Sequence, residues 1–133
     1  MTYGAKNYKQ MQITTASPTQ ILIMLYEGAI QNVKKAILAI EQKNLADKGK
    51  YIGKAHDIIN ELTVSLNHEV AGQIAKDLER LYNFMVTQLM KANIENDKEA
   101  LLPVQKNLET LLEGWKGAVN QFQKEATASK KIT

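Results

Sequence analysis

The residues able to do chemistry are few, and their spacing does not assemble a reaction centre. The chain of 133 residues holds two histidines and no cysteine. The missing thiols remove cysteine nucleophiles, disulfide frameworks and thiolate zinc sites together. Helical di-iron sites need Glu-x-x-His pairs projecting inward. The residues three positions before His56 and His68 are Gly53 and Ser65, so that motif is not present. His56 stands beside Asp57, but adjacent residues on a helix point in different directions and make no catalytic pair. Asp57 with Glu61, and Glu109 with Glu113, share helix faces at four-residue spacing. Paired carboxylates do acid–base work only in a shielded cleft, and on patterned helices they are normally solvated. There is no phosphate-cradling glycine loop and no Gly-x-Ser-x-Gly turn. The sequence therefore reads as no enzyme, with no metal and no cofactor.

Charge and hydropathy narrow the partners. The formal net charge is +3. Lys34-Lys35, Lys130-Lys131 and the scattered lysines are interspersed with acids, whereas a nucleic-acid binder gathers a basic stripe. Nucleic acid is not expected. The longest apolar run, residues 21–26, ends at Glu27 and is far short of the ~20 residues of a membrane span. Residues 1–13 carry no apolar block of signal-peptide length. No membrane insertion and a cytoplasmic (cytosolic) location are the expectations, and the lack of cysteine fits a reducing compartment.

The elements that hold these residues are helices. Ser17-Pro18-Thr19-Gln20 is a strong start signal, with Ser17 to cap, Pro18 at the first position and Gln20 to complete a capping box. From it Leu22, Tyr26, Ala29, Val33, Ala36 and Ile40 step by four and three. A polar link at 44–50 offers Asn44 and Asp47 as caps. Ile52, Ala55, Ile59, Leu62 and Leu66 form the second seam, loosened at its start by Gly49 and Gly53. Asn67-His68-Glu69 breaks that pattern. Ile74, Leu78, Leu81, Met85, Leu89 and Ala92 form the third seam, after which Asn96 looks like the next cap, with Glu99 three residues on. Leu101, Val104, Leu108, Leu111, Trp115, Ala118 and Phe122 form the fourth. Pro103 conflicts with it; either the helix bends there or its regular part begins near Leu102.

Four such segments with short links specify an all-α fold, an antiparallel up-down four-helix bundle. Residues 1–16 fit neither helix nor strand spacing and read as an N-terminal arm. The bundle is expected over 17–123, with a frayed or disordered C-terminal tail over 124–133.

Three features exceed what a self-contained bundle needs. The arm carries Tyr3, Tyr8, Met11 and Ile13. Apolar residues lie off the seams, among them Ile23, Ile30, Ile37, Ile58, Val86, Met90, Leu102 and Leu112. Met24, Met85 and Met90 are adaptable side chains suited to a groove that accepts an amphipathic helix. Trp115 lies on a seam and reads as core. Gly28, Gly114 and Gly117 weaken helix interiors, either for tight helix approach or to admit a ligand backbone. The residues alone thus describe a helical bundle that binds something.

The run from Ile13 through Ala29, ITTASPTQILIMLYEGA, resembles the opening signature of the flagellin-specific export chaperone family, FliS. Further blocks agree in order: Lys54-Ala55, Ile58-Ile59-Asn60-Glu61-Leu62, Ser65-Leu66-Asn67, Gly72-Gln73-Ile74-Ala75, Leu78, Leu81-Tyr82, Ala92-Asn93, Leu111-Leu112 and Trp115. The resemblance implies binding of the disordered C-terminal segment of flagellin and delivery to a component of the flagellar type III export gate. In some bacteria a flagellin-binding regulator also takes part. Contact or groove-gating candidates carried over on the matching blocks are Tyr8, Ile13, Tyr26, Ile58, Leu62, Leu66, Leu78 and Tyr82. The competing reading is a self-associating helical adaptor with no flagellin cargo.

Overall fold

The computed structural model describes residues 17–132, with side chains through residue 125. Among the described residues every regular element is a helix. Helix α1 spans Pro18–Glu41 and opens as the sequence predicts. The Gln20 N–H donates to Ser17 Oγ at 3.2 Å, and the Ser17 N–H donates to Gln20 Oε1 at 3.0 Å. Two of the orphan amides of the first turn are thereby satisfied.

The chain reverses through Lys43, which takes a left-handed conformation at φ 58°. Helix α2 spans Leu45–Val64, and of its two candidate caps Asn44 is the one used. Its Oδ1 accepts the Asp47 N–H at 3.1 Å. The break at Asn67 becomes a corner. Asn67 caps a single short turn, α3 at His68–Ala71, and Gly72 then takes φ 54°, ψ −114° before α4 starts. Helix α4 spans Gln73–Glu95.

One expectation changes at the next corner. Asn96 closes α4 in the left-handed conformation instead of opening the following helix, and Asp97 caps a 3-10 turn, Lys98–Ala100. Helix α5 spans Leu102–Ile132, so Pro103 occupies its first turn, where a missing N–H breaks no helical bond. No bend is needed there. The backbone of the polar stretch from Lys124, set apart above as a tail, continues this helix to Ile132.

The helices run in the order α5, α1, α2, α4 around the bundle: α1 packs on α2 and α5, and α2 packs on α4, whereas α4 meets α5 only sparingly. Lys48 is almost buried at 8% exposure and ties two elements together. Its ammonium donates to the Asn93 carbonyl at 2.8 Å and to Asn96 Oδ1, bonding the free end of α4. A cation at a helix C-terminus is favoured by the exposed carbonyls there.

The core fills one half of the bundle more completely than the other. Val33, Ala36, Ile52, Ala55, Met85, Leu89, Leu101 and Val104 are buried at the end where α4 finishes and α5 starts. Towards the opposite end Leu62 and Ala75 are buried, but Leu22, Leu25, Leu66, Leu78, Leu111 and Trp115 are only half-buried. The α4 seam explains part of this. Its buried set begins with Ala75 and Tyr82, one residue later than the Ile74–Leu81 phase read from the sequence, and Ile74 is left 64% exposed.

Candidate functional site

The boundary between the closed and open halves is a layer of three aromatic residues with polar tips. Tyr26, in α1, is fully buried and Tyr82, in α4, is 2% exposed. Their hydroxyls form a short hydrogen bond across the bundle. Two neighbouring hydroxyls can satisfy each other, which is what allows two phenols to sit in an apolar core. Burial pushes both phenol pKa values above the ordinary range. The hydrogen bond from Tyr82 and the nearby Trp115 indole oppose the rise at Tyr26, while the hydrogen bond with Tyr26 adds to it at Tyr82. The Trp115 Nε1–H, on α5, is buried beside the pair without a well-formed hydrogen bond. Trp115 itself is only half-buried. The sequence puts it on a seam, and it does reach the core, but its outer side faces a groove.

That groove, of about 640 Å³, lies between the first two turns of α1 and the later part of α5. Its apolar surface comes from Leu22, Ile23, Trp115, Ala118, Val119 and Phe122, and its rim includes the cap residues Ser17 to Gln20. Phe122 is a seam residue by spacing, yet it is 72% exposed because α5 outruns its neighbours there. Ser17, the first described residue, stands on this same rim. At the same end Val64 and Val70, flanking the α2–α3 corner, are more than 80% exposed, and Ile74 follows them. A second apolar surface lies along α4, where Val86, Met90 and Ile94 recur every four residues and the last two are exposed. Contiguous exposed apolar surface of this kind marks interaction sites in soluble domains.

The predicted candidates divide accordingly. Tyr26, Leu62 and Tyr82 are core residues in the free chain; Ile58, Leu66 and Leu78 are half-buried at its edge. Tyr8 and Ile13 lie outside the described residues. Of the off-seam apolar residues, Ile30 is buried, whereas Met24, Met90 and Leu102 are exposed. Met85 is core. The sequence reading did not single out Val64, Val70, Phe84 or Ile94, and it placed Ile74 and Phe122 inside. Helical periodicity reports which residues share a face but not where a neighbouring helix ends.

The glycines separate into two kinds. A Cβ on Gly28 would meet Ile58 Cδ1 at 3.4 Å, so close approach of α1 and α2 accounts for it. Gly114 and Gly117 have nothing within 4 Å, so no neighbour among the described residues requires them.

No chemistry gathers at these surfaces. Among the described residues no group of three His, Cys, Asp or Glu side chains is placed to hold a metal. Asp57, Glu61, Glu109 and Glu113 are all exposed. His56 lies 3.9 Å from the Asp57 carboxylate, which is open to solvent. His68 Nε2 lies 2.9 Å from Glu79 Oε2 and joins the α3 corner to α4. No described helix is long and apolar enough to cross a membrane.

The sequence profile described as flagellar protein FliS matches residues 1–122. The chain belongs to the FliS family. It is 37% identical over 118 residues to the flagellar secretion chaperone FliS of Salmonella typhimurium, covering 85% of this chain and 87% of that one. It is 40% identical over 104 residues to the FliS of Vibrio cholerae, covering 78% and 76%. The FliS of Bacillus subtilis is 30% identical over 122 residues, covering 92% and 90%. A solved structure of a bacterial flagellar chaperone superposes with a TM-score of 0.74 over 90% of this chain and 98% of that one, at 22% identity. The all-α bundle is thus a fold shared with a flagellar chaperone. These relatives are named flagellar secretion chaperones, a non-enzymatic role.

Proposed function

We propose that this chain is a cytosolic export chaperone that binds the disordered C-terminal segment of flagellin, keeps it from polymerising and aids its delivery to the export gate. The observation that carries this reading is the half-open core: the apolar groove beside Trp115 and Phe122, with Val64, Val70 and Ile74 exposed at the same end. A subunit that polymerises through amphipathic helices presents apolar stripes, and a groove lined by aliphatic and aromatic side chains accepts them. Ordering a disordered segment costs several kcal/mol and is offset by burial of about 1,000–3,000 Å2. An interface of that size needs more than one groove, and the apolar row Val86, Met90 and Ile94 on α4 supplies further surface for wrapping.

Residues 1–16 precede Ser17 of the groove rim and carry Tyr8 and Ile13. We take them as a gate that lies over the groove until cargo displaces it. Deletion of residues 1–13 is then expected to change flagellin affinity or off-rate, and an unchanged value of both removes the gate.

The deciding experiment is calorimetric titration of the full chain with a peptide spanning a cognate flagellin C-terminus. Roughly one-to-one binding with a negative heat-capacity change supports the assignment, since that sign reports apolar burial. Absence of binding refutes it. Concentration-dependent molar mass without cargo would then turn the same apolar surface into a self-association face.

A further inference from the structure

The end of the bundle away from the groove carries a cluster of like charges. Tyr51, in the second turn of α2, packs its ring against the core edge. The Lys35 Nζ from α1 and the Lys50 and Lys54 Nζ from α2 stand 5.4, 5.4 and 5.9 Å from the centre of that ring. All three lysines are exposed. The lysine ion pairs among the described residues are Lys34 with Glu109 and Lys98 with Glu41, so none of these three is matched by a carboxylate. The ring's negative face draws each ammonium inward, but it leaves the mutual repulsion of three like charges unrelieved.

We propose that this face of α1 and α2 docks a short acidic segment of a partner protein. Lys50 and Lys54 are one turn apart on one helix, and Lys35 faces them across the seam, so two or three carboxylates in sequence would bridge the set. Lysine ammonium groups act as point charges without a demanded planar geometry, which suits irregular carboxylates. The patch is also bounded. Asp47 precedes Lys50 by three residues and Asp57 follows Lys54 by three, so a long polyanion lying along α2 would meet a like charge at either end. Nucleic-acid binding through many phosphates is disfavoured on the same ground. The apolar groove lies at the opposite end of the bundle and the apolar row on α4 lies on another helix, so neither proposed cargo surface includes the lysines. The proposal stands on the lysine geometry and does not require the flagellin assignment.

The probe is a fluorescein-labelled peptide carrying three glutamates in a glycine–serine background, titrated by anisotropy and by amide NMR shifts against the full chain. Saturable binding that weakens as salt rises is expected, with shifts confined to residues 31–38 and 47–58. The triple variant K35Q/K50Q/K54Q is expected to bind at least tenfold more weakly. K76Q/K91Q/K106Q, with the same net charge, should bind as the parent does. Tyr51→Leu, which keeps the lysines and loses the ring, should weaken binding several-fold, with thermal melts confirming that each variant is folded. Equal loss in both triple variants, shifts scattered over the surface, or absence of saturation overturns the proposal. So does tighter binding of an eight-nucleotide thymidine oligomer than of the peptide. Flagellin-peptide affinity unchanged in K35Q/K50Q/K54Q supports separate surfaces; its loss there overturns the separation while leaving the flagellin assignment intact.

Discussion

Tyr26 and Tyr82 come from the blocks that carry the family resemblance, yet both are buried in the free chain, so their hydroxyls should matter to the fold before they matter to cargo. Replacing Tyr82 with Phe removes one hydroxyl and leaves the buried Tyr26 hydroxyl with only the Trp115 indole beside it. An unsatisfied buried polar group costs about 1–3 kcal/mol, which for a domain of this size lowers Tm by roughly 3–5 °C per kcal/mol. Tyr26→Phe should cost a similar amount by the reciprocal argument. The double variant removes both hydroxyls together and leaves a layer of nearly the same shape whose remaining polar tip is the Trp115 Nε1–H, so it should cost clearly less than the two single changes added. A double-mutant cycle by denaturant melts measures that coupling. Alkaline titration provides a second arm. Both phenols are raised above their unfolded value near 10, so their contribution is fully present below pH ~10 and is lost as pH rises further. The parent should lose up to about 1.4 kcal/mol per pH unit per phenol in that range, and the double Phe variant should lack this slope. Flagellin affinity, measured where each variant is folded, should be unchanged. Additive losses in the cycle would refute mutual satisfaction of the hydroxyls. A folded Y82F chain that no longer binds cargo would refute the assignment of this layer to structure.

Other positions give sharper contrasts between space and backbone. Gly72 has open space around it but sits at φ 54°, ψ −114°; Gly72→Ala should therefore destabilise by about 1–3 kcal/mol in denaturant melts through strain alone. Gly114→Ala and Gly117→Ala, with equally open surroundings and ordinary helical backbone, should each stabilise by about 0.8–1 kcal/mol; if cargo backbone approaches α5 closely there, calorimetry will show flagellin affinity falling while Tm rises. Lys48→Met keeps the buried stem and deletes the ammonium, leaving the Asn93 carbonyl and Asn96 Oδ1 without their donor; a loss of about 1–3 kcal/mol is expected, with faster amide exchange concentrated at residues 93–97.

How far the sequence could be read follows from which signals are local. The capping box at Ser17 and Gln20 is a local signal, and it forms as read. The seams of α1 and α2 also hold, since Tyr26, Ala29, Val33, Ala36, Ile52, Ala55, Ile59 and Leu62 are all buried. The site was less legible because it depends on what is not opposite a residue. Phe122 has the spacing of a core residue and is exposed only because no helix continues beside it. Ile74 has the same difficulty: the left-handed turn at Gly72 sets the phase of α4, and that phase buries Ala75 instead. Lys48 is hidden from periodicity altogether, because its partner is a backbone carbonyl 45 residues away. Asn96 was misread because an asparagine favours both an N-cap and a left-handed helix end, and only the next residue, Asp97, decides between them.

The division into a closed and an open half also bears on why a chaperone would be built this way. Burying the apolar groove within the chain would make a more stable bundle, but it would leave nothing for a partner to complete. Exposing apolar surface on every side would risk self-association. Here α1, α2, α4 and the first turns of α5 close a core around Leu89, Leu101 and Val104, at the end where Lys48 also fixes α4. The far end of α5 carries Trp115, Val119 and Phe122 along a groove whose other wall is the first two turns of α1. A ligand that binds only the folded chain stabilises it by mass action. Under the proposed function, placing the groove at one end would make that end the part of the fold most responsive to cargo.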